Sequence, residues 1–115
     1  MLVATTPYIP GYRVAEVRGQ AFGLVVRSRG LGPNIMAGLR SLGGGEIHEY
    51  TRLLEDSRAQ AVSRLEQHAA AMGANAVISF RFDSSEMGGS MSEIVAYGTA
   101  VILVAEAGAG QPVGE

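Results

Sequence analysis

The sequence predicts a single α+β domain, one long helix laid on a mainly antiparallel β-sheet, and three stretches of pattern carry that reading. Apolar and small residues at Tyr50, Leu53, Leu54, Ser57, Ala61, Leu65, Ala69 and Met72 recur at three- and four-residue steps, the repeat of one helix face. Residues 76–84 alternate, with Ile78, Phe80 and Phe82 on one side and Ser79, Arg81 and Asp83 on the other, as in a half-buried strand. Residues 93–104 are apolar on both sides: Ile94, Ala96, Gly98, Ala100, Ile102 and Val104 on one, Val95, Tyr97, Val101 and Leu103 with Thr99 on the other, so both faces need cover.

The remaining elements follow from punctuation. Pro7, Pro10 and Gly11 leave room for at most one short strand before Tyr12 opens a longer one. From Val14 to Val26 one face reads Val14, Glu16, Arg18, Gln20, Phe22, Leu24 and Val26; the other is small, with Ala15, Val17, Gly19, Ala21, Gly23 and Val25, and small residues let another backbone come close. Pro33 suits the first turn of a short helix through Ile35, Met36 and Leu39, ended by Gly43-Gly44-Gly45. The long helix gains Glu46 and Glu49 at its positive end, a Glu55–Arg58 pair on its exposed side and Gly73 as its C-terminal cap. It spans roughly 27 residues and about 40 Å. Residues 85–91 read as a hairpin loop, the domain closes at residue 105, and residues 106–115 form a disordered tail.

Composition excludes several classes. The net charge is -2, and all nine basic residues are Arg, so no clustered basic face suits nucleic acid. There is no Cys, hence no disulfide, no thiolate nucleophile and no Cys-based zinc or iron–sulfur site. The first residues lack a signal-peptide pattern, and the longest apolar run, Ile94 to Ala105, is too short to span a bilayer, so a cytoplasmic protein with no membrane partner is expected.

The sheet poses a covering problem. Three strands at about 4.8 Å spacing make a sheet roughly 14 Å wide, and one helix about 10 Å across covers one face. At about 1.5–3 kcal/mol each, leaving Val95, Tyr97, Val101 and Leu103 wet forgoes roughly 6–12 kcal/mol as an upper bound. A partner subunit on these four residues is the expected solution; the alternatives are an N-terminal segment folded back over them or a sheet curled on itself.

Chemical motifs are sparse. Gly43-Gly44-Gly45 before a helix could cradle an anion, but a P-loop needs a Lys and this chain has none, so a glycine turn is the simpler reading. His48 and His68 stand twenty residues apart on one helix, about 30 Å, and cannot share an ion within a subunit. His68 with Met72, or His48 with Glu46 and Glu49, lacks a recognised ligand spacing, and a solvated His on a helix flank is the plainer account. No nucleophile elbow or Ser-His-Asp arrangement appears, so no catalytic residue is assigned. Arg81 and Asp83, with Tyr97 and Thr99 across the hairpin, form a polar cluster suited to a small polar ligand or to the lining of an interface.

Gly43-Gly44-Gly45-Glu46, Tyr50-Thr51-x-Leu53-Leu54-Glu55-Asp56-x-Arg58, Gly73-Ala74-Asn75-Ala76-Val77, Arg81-Phe82-Asp83 and Ala96-Tyr97-Gly98-Thr99-Ala100-Val101 together resemble the YbjQ-like family, labelled "putative heavy-metal-binding". The resemblance covers about residues 11–104. It implies a two-layer β-α-β-β subunit of the dodecin-like kind, assembled with itself as a homopentameric ring. It carries no defined ligand set, and Pro33-Asn34 stand where an acidic residue is expected before Ile35.

The resulting expectation is a non-enzymatic ring protein binding a divalent or heavy metal ion, or a small ligand, where copies meet. Symmetry would repeat a single His48 or Asp83 into a multidentate site. An enzyme acting on a small polar substrate through Tyr50, Arg58, Arg81 and Asp83 between subunits, and a purely structural assembly module, are the two other readings.

Overall fold

The structure, a computed structural model, describes residues 1–28, 48–87 and 91–107, and of residues 28, 48–50, 86 and 87 among these it describes the backbone alone. The expected short helix after Pro33, the triple glycine and the tail from residue 108 lie outside the described residues. The elements are β1 (Leu2–Val3), β2 (Tyr12–Ser28), α1 (His48–Ala71), β3 (Ala76–Met87) and β4 (Met91–Ala105). Their sheet has the order β1-β3-β4-β2, with β1 parallel to β3 and the other pairs antiparallel.

Helix α1 lies mainly over β2 and β4. Its buried stripe is Ser57, Ala61, Leu65 and Ala69, at four-residue steps, whereas Leu54 is exposed. That stripe meets the small face of the sheet: Ala21 and Val25 from β2, Ile94, Ala96 and Ala100 from β4, and Val77 from β3. The buried Ser57 hydroxyl donates to the Leu53 carbonyl at 2.9 Å, so no polar atom is stranded there. The helix ends in a Schellman motif. Gly73 has φ 82°, its N–H donates to the Ala70 carbonyl at 3.0 Å, and the Ala74 N–H donates to Ala69 at 3.0 Å. Arg18 adds a donor to the Met72 carbonyl at 2.7 Å, a cation at the negative end of the helix. Gly73→Ala is expected to lose about 1 kcal/mol through backbone strain alone, because a Cβ there meets only the Arg18 side chain, at 3.4 Å or more. A chemical-denaturation midpoint measures this loss.

Three irregularities change which side chains share a face. The β2–β4 register shifts between Val14 and Glu16 and again between Val17 and Gly19, the latter where Gly19 takes φ 127°. The unbroken alternation expected over residues 14–26 is therefore corrected: Val17 sits opposite Val101 and joins the face of Phe22, Leu24 and Val26. The β3–β4 register shifts between Ile78 and Arg81, where Ser79 takes φ 53° and donates its N–H to Thr6. Ile78 consequently packs on the face away from the helix, while Phe80 and Phe82 pack on the helix side. The expected loop over residues 85–91 is also corrected, because β3 runs to Met87 and β4 begins at Met91, paired with it. Cross-strand pairing overrides the weak strand propensity of Ser84 and Ser85.

Residues 1–12 fold across one end of the second face. Leu2, Ile9 and Tyr12 pack on Ala76, Ile78, Val101 and Leu103. Asn75 ties this end together, its side chain donating to the Leu103 carbonyl at 3.0 Å and accepting from the Leu103 N–H at 2.8 Å.

Candidate functional site

The second face of the sheet divides into a covered end and an open end. Val101 and Leu103 are 0% and 3% exposed within the chain itself. The expectation that all four of Val95, Tyr97, Val101 and Leu103 await a partner is thus corrected for these two: the N-terminal segment supplies their cover. Val95 and Tyr97 are half-buried, and beside them Phe22 is 50%, Leu24 40% and Val26 46% exposed.

Register lays this open end out in rows across β2, β4 and β3. Phe22 faces Tyr97 and then Arg81; Leu24 faces Val95 and then Asp83; Val26 faces Glu93 and then Ser85. The β2 column is apolar throughout and the β3 column polar throughout. Arg81 donates to the carbonyls of Thr5 at 2.9 Å and Phe80 at 2.7 Å, which holds the N-terminal segment beside the open end. Asp83 accepts the Ser84 N–H at 2.9 Å. Thr99 stands between Gln20 and Ile78, half-buried.

Of the expected polar cluster, Arg81, Asp83, Tyr97 and Thr99 therefore share a face. Arg58 does not join them. Its guanidinium lies 4.9 Å from the centre of the Phe82 ring, on the helix side of the sheet. The side chains of Tyr50 and His48 lie outside the described residues.

His68 has a role that the pattern of the sequence does not show. Its Nδ1 is 3.1 Å from the Phe22 N–H donor and 3.2 Å from the Phe22 carbonyl, and its ring meets the Phe22 ring edge-on with centroids 4.9 Å apart. Four residues earlier, Arg64 donates to the Leu24 carbonyl at 2.5 Å, and farther along Arg27 pairs with Asp56 at 2.8 Å. Since β2 is an edge strand, His68 and Arg64 occupy backbone groups of Phe22 and Leu24 that would otherwise template another strand. His68 thus spends one ring nitrogen on the sheet edge. Among the described residues no group of three or more His, Asp or Glu stands close enough to hold a metal ion.

A helix on one face of a mixed four-stranded sheet, its other face half open, defines an α+β fold of β-α-β-β type. The chain belongs to the YbjQ-like family, whose profile, described as "putative heavy-metal-binding", matches residues 1–104. A UPF0145 protein of Methanoregula boonei is 61% identical over 113 residues, covering 98% of this chain and 94% of its own length. UPF0145 relatives of Thermoplasma acidophilum and Pyrococcus horikoshii are 57% and 53% identical over 103 residues, each covering 90% of this chain and 87% and 88% of their own. A solved structure from Pediococcus pentosaceus, of unknown function and assigned to the DUF74 family, superposes with a TM-score of 0.60 at 13% identity. It covers 89% of this chain and 96% of that one, a likeness of fold.

Proposed function

We propose that this chain is the subunit of a cytoplasmic homo-oligomer, a five-membered ring as the family resemblance implies, that holds a small ligand or metal ion where copies meet. The observation that carries the reading is the half-open sheet face, where Phe22, Leu24 and Val26 keep 40–50% of their surface in water beside Tyr97, Arg81 and Asp83. An apolar patch rimmed by charge is typical of an interaction site.

The family's metal label does not fit one subunit's described donors. They gather no group of three, and His68 is already engaged with Phe22. Metal binding on this reading requires donors contributed by several copies, such as Asp83 repeated by symmetry. No helix among the described residues is long and apolar enough to cross a membrane.

Native mass spectrometry of untagged protein purified without chelator, with elemental analysis of the same sample, tests the reading. The expected result is a homo-oligomer, five subunits on the resemblance. Stoichiometric metal in it supports shared ligation, and metal-free rings turn the site toward organic ligands. A monomer at tens of micromolar overturns the proposal.

A further inference from the structure

The outer half of β3 is held in a register that its own sequence opposes. From Ala76 opposite Val101 to Ile78 opposite Thr99 the strand keeps one register; from Arg81 opposite Tyr97 to Met87 opposite Met91 it is displaced by one residue, so that Ser79 and Phe80 together face Gly98. Continued unshifted, the first register would set Phe80 against Tyr97, Phe82 against Val95 and Met87 against Ser90. It would leave only Gly88-Gly89 between the strands, the two-residue glycine connection that hairpins favour. It would also keep the plain alternation of residues 76–84, with Ile78, Phe80 and Phe82 on one face. Local pattern and observed register therefore conflict.

Tertiary contacts decide between them. On the helix side Phe80 and Phe82 pack edge-on with ring centroids 4.9 Å apart, and the Arg58 guanidinium lies over the Phe82 ring. The unshifted register would put Arg81 in the place of Phe82, opposite Ala96 and against Arg58, a contact of like charges. Ser79 bears the strain of the observed register. At φ 53° it is the one non-glycine residue with positive φ among the described residues, a conformation that side chains disfavour. The N-terminal segment holds it there through three successive residues of β3. The Ser79 N–H donates to the Thr6 carbonyl at 2.9 Å, the Phe80 N–H to the Ala4 carbonyl at 3.0 Å, and the Arg81 side chain to the Thr5 carbonyl at 2.9 Å.

We infer that β3 beyond Ile78 has two registers and that the N-terminal segment is the clamp that selects the bulged one, its release letting the strand slip by one residue. The slip exchanges faces. Arg81 and Asp83 leave the open end of the second face, and Phe80 and Phe82 take their place beside Tyr97 and Val95. The clamp thus sets whether that end carries charge on β3 or is aromatic there. The device belongs to the single chain and does not depend on its assembly.

Engineered disulfides read the register directly, because the chain has no cysteine of its own. Ser92 stands opposite Glu86 in the observed register and would stand opposite Ser85 in the slipped one. Full chains carrying Glu86→Cys with Ser92→Cys, or Ser85→Cys with Ser92→Cys, are equilibrated in glutathione buffer; mass spectrometry measures the intrachain disulfide and circular dichroism the fold. The first pair is expected to close readily and the second only as a minor fraction. In the Ser85→Cys, Ser92→Cys chain, Ser79→Gly is expected to lower the closure constant about fivefold by easing the bulge, and Ser79→Val to raise it about fivefold, since a β-branched residue resists positive φ. Deleting residues 1–4, which removes β1 and the Ala4 carbonyl, is expected to raise it about tenfold. Ala4→Pro keeps the chain whole, removes the N–H donated to the Val77 carbonyl at 2.9 Å, and is expected to raise it about threefold. A closure constant that does not fall with Ser79→Gly overturns the two registers, whether or not the other variants fold. One that follows Ser79 but is unmoved by Ala4→Pro and by the deletion overturns the clamp.

Discussion

Gly23→Ala is expected to destabilise the fold by about 3 kcal/mol or more, a fall in melting temperature on the order of 10–20 °C. A Cβ at Gly23 would stand 2.1 Å from the Ala61 carbonyl oxygen, 2.4 Å from the Leu65 nitrogen and 2.9 Å from the Arg64 Cβ. Two of these are helix backbone atoms, so no rotamer change relieves the clash; the helix must lift from the sheet. Lifting it separates Leu65 and Ala61, both 0% exposed, from Ala21 and Val25. The same movement pulls His68 from Phe22 and Arg64 from Leu24, which uncovers the β2 edge. Gly23→Ala protein is therefore expected to aggregate on heating more readily than Gly73→Ala protein, a comparison that light scattering during a thermal ramp makes directly. A loss no larger than that of Gly73→Ala would mean that the helix does not sit on β2 as closely as described.

The helix, the two long strands after it and the small face of β2 were legible because each depends on a local period. The repeat from Ser57 through Ala61 and Leu65 to Ala69 is the buried stripe, and the small residues Ala21 and Gly23 are where the helix approaches. Gly73 was legible as a cap because left-handed backbone at a helix end favours glycine. The bulges were not legible. One extra residue at each of three places leaves an apolar–polar string that still reads as plain alternation, yet it moves Val17 and Ile78 to other faces. Strand order was equally hidden. That β2 forms an edge follows from long-range pairing, and only this makes His68 a partner of Phe22 rather than a solvated flank residue.

The candidate site was legible in half. The two-sided character of β4 correctly marks a face that needs cover, but pattern alone does not say who provides it. The chain supplies its own cover over Val101 and Leu103 through Leu2, Ile9 and Tyr12, and stops short of Val95 and Tyr97. Arg81 marks that stopping point. Its bond to the Thr5 carbonyl ties the end of the covering segment to the start of the open surface, so one side chain borders both. Arg58 was expected beside it only between subunits, and within the chain the sheet separates the two.

Gly98→Ala is expected to cost about 2–3 kcal/mol, and its effect is expected at the covered end of the second face as well as in the core. A Cβ at Gly98 would lie 2.6 Å from the Val77 Cγ1, 2.9 Å from the Ile78 carbonyl oxygen and 3.3 Å from the Phe80 Cα. Those atoms flank the bulge at Ser79, the point at which β3 changes which side chains face the helix. The Val77 methyl belongs to a residue with no free surface, and the other two atoms are backbone, so the strain falls on the bulge rather than on a side chain that can turn. Easing it means shifting Ser79 and Phe80, whose N–H groups donate to Thr6 and Ala4, and with them the N-terminal segment that covers Val101 and Leu103. Amide hydrogen exchange distinguishes the two ways in which stability can be lost. Faster exchange at Ser79 and Phe80 beyond the global change is expected if the bulge yields. Uniform acceleration across all strands would mean instead that the core absorbs the added methyl, and that the bulge is not where β3 and the N-terminal segment are joined.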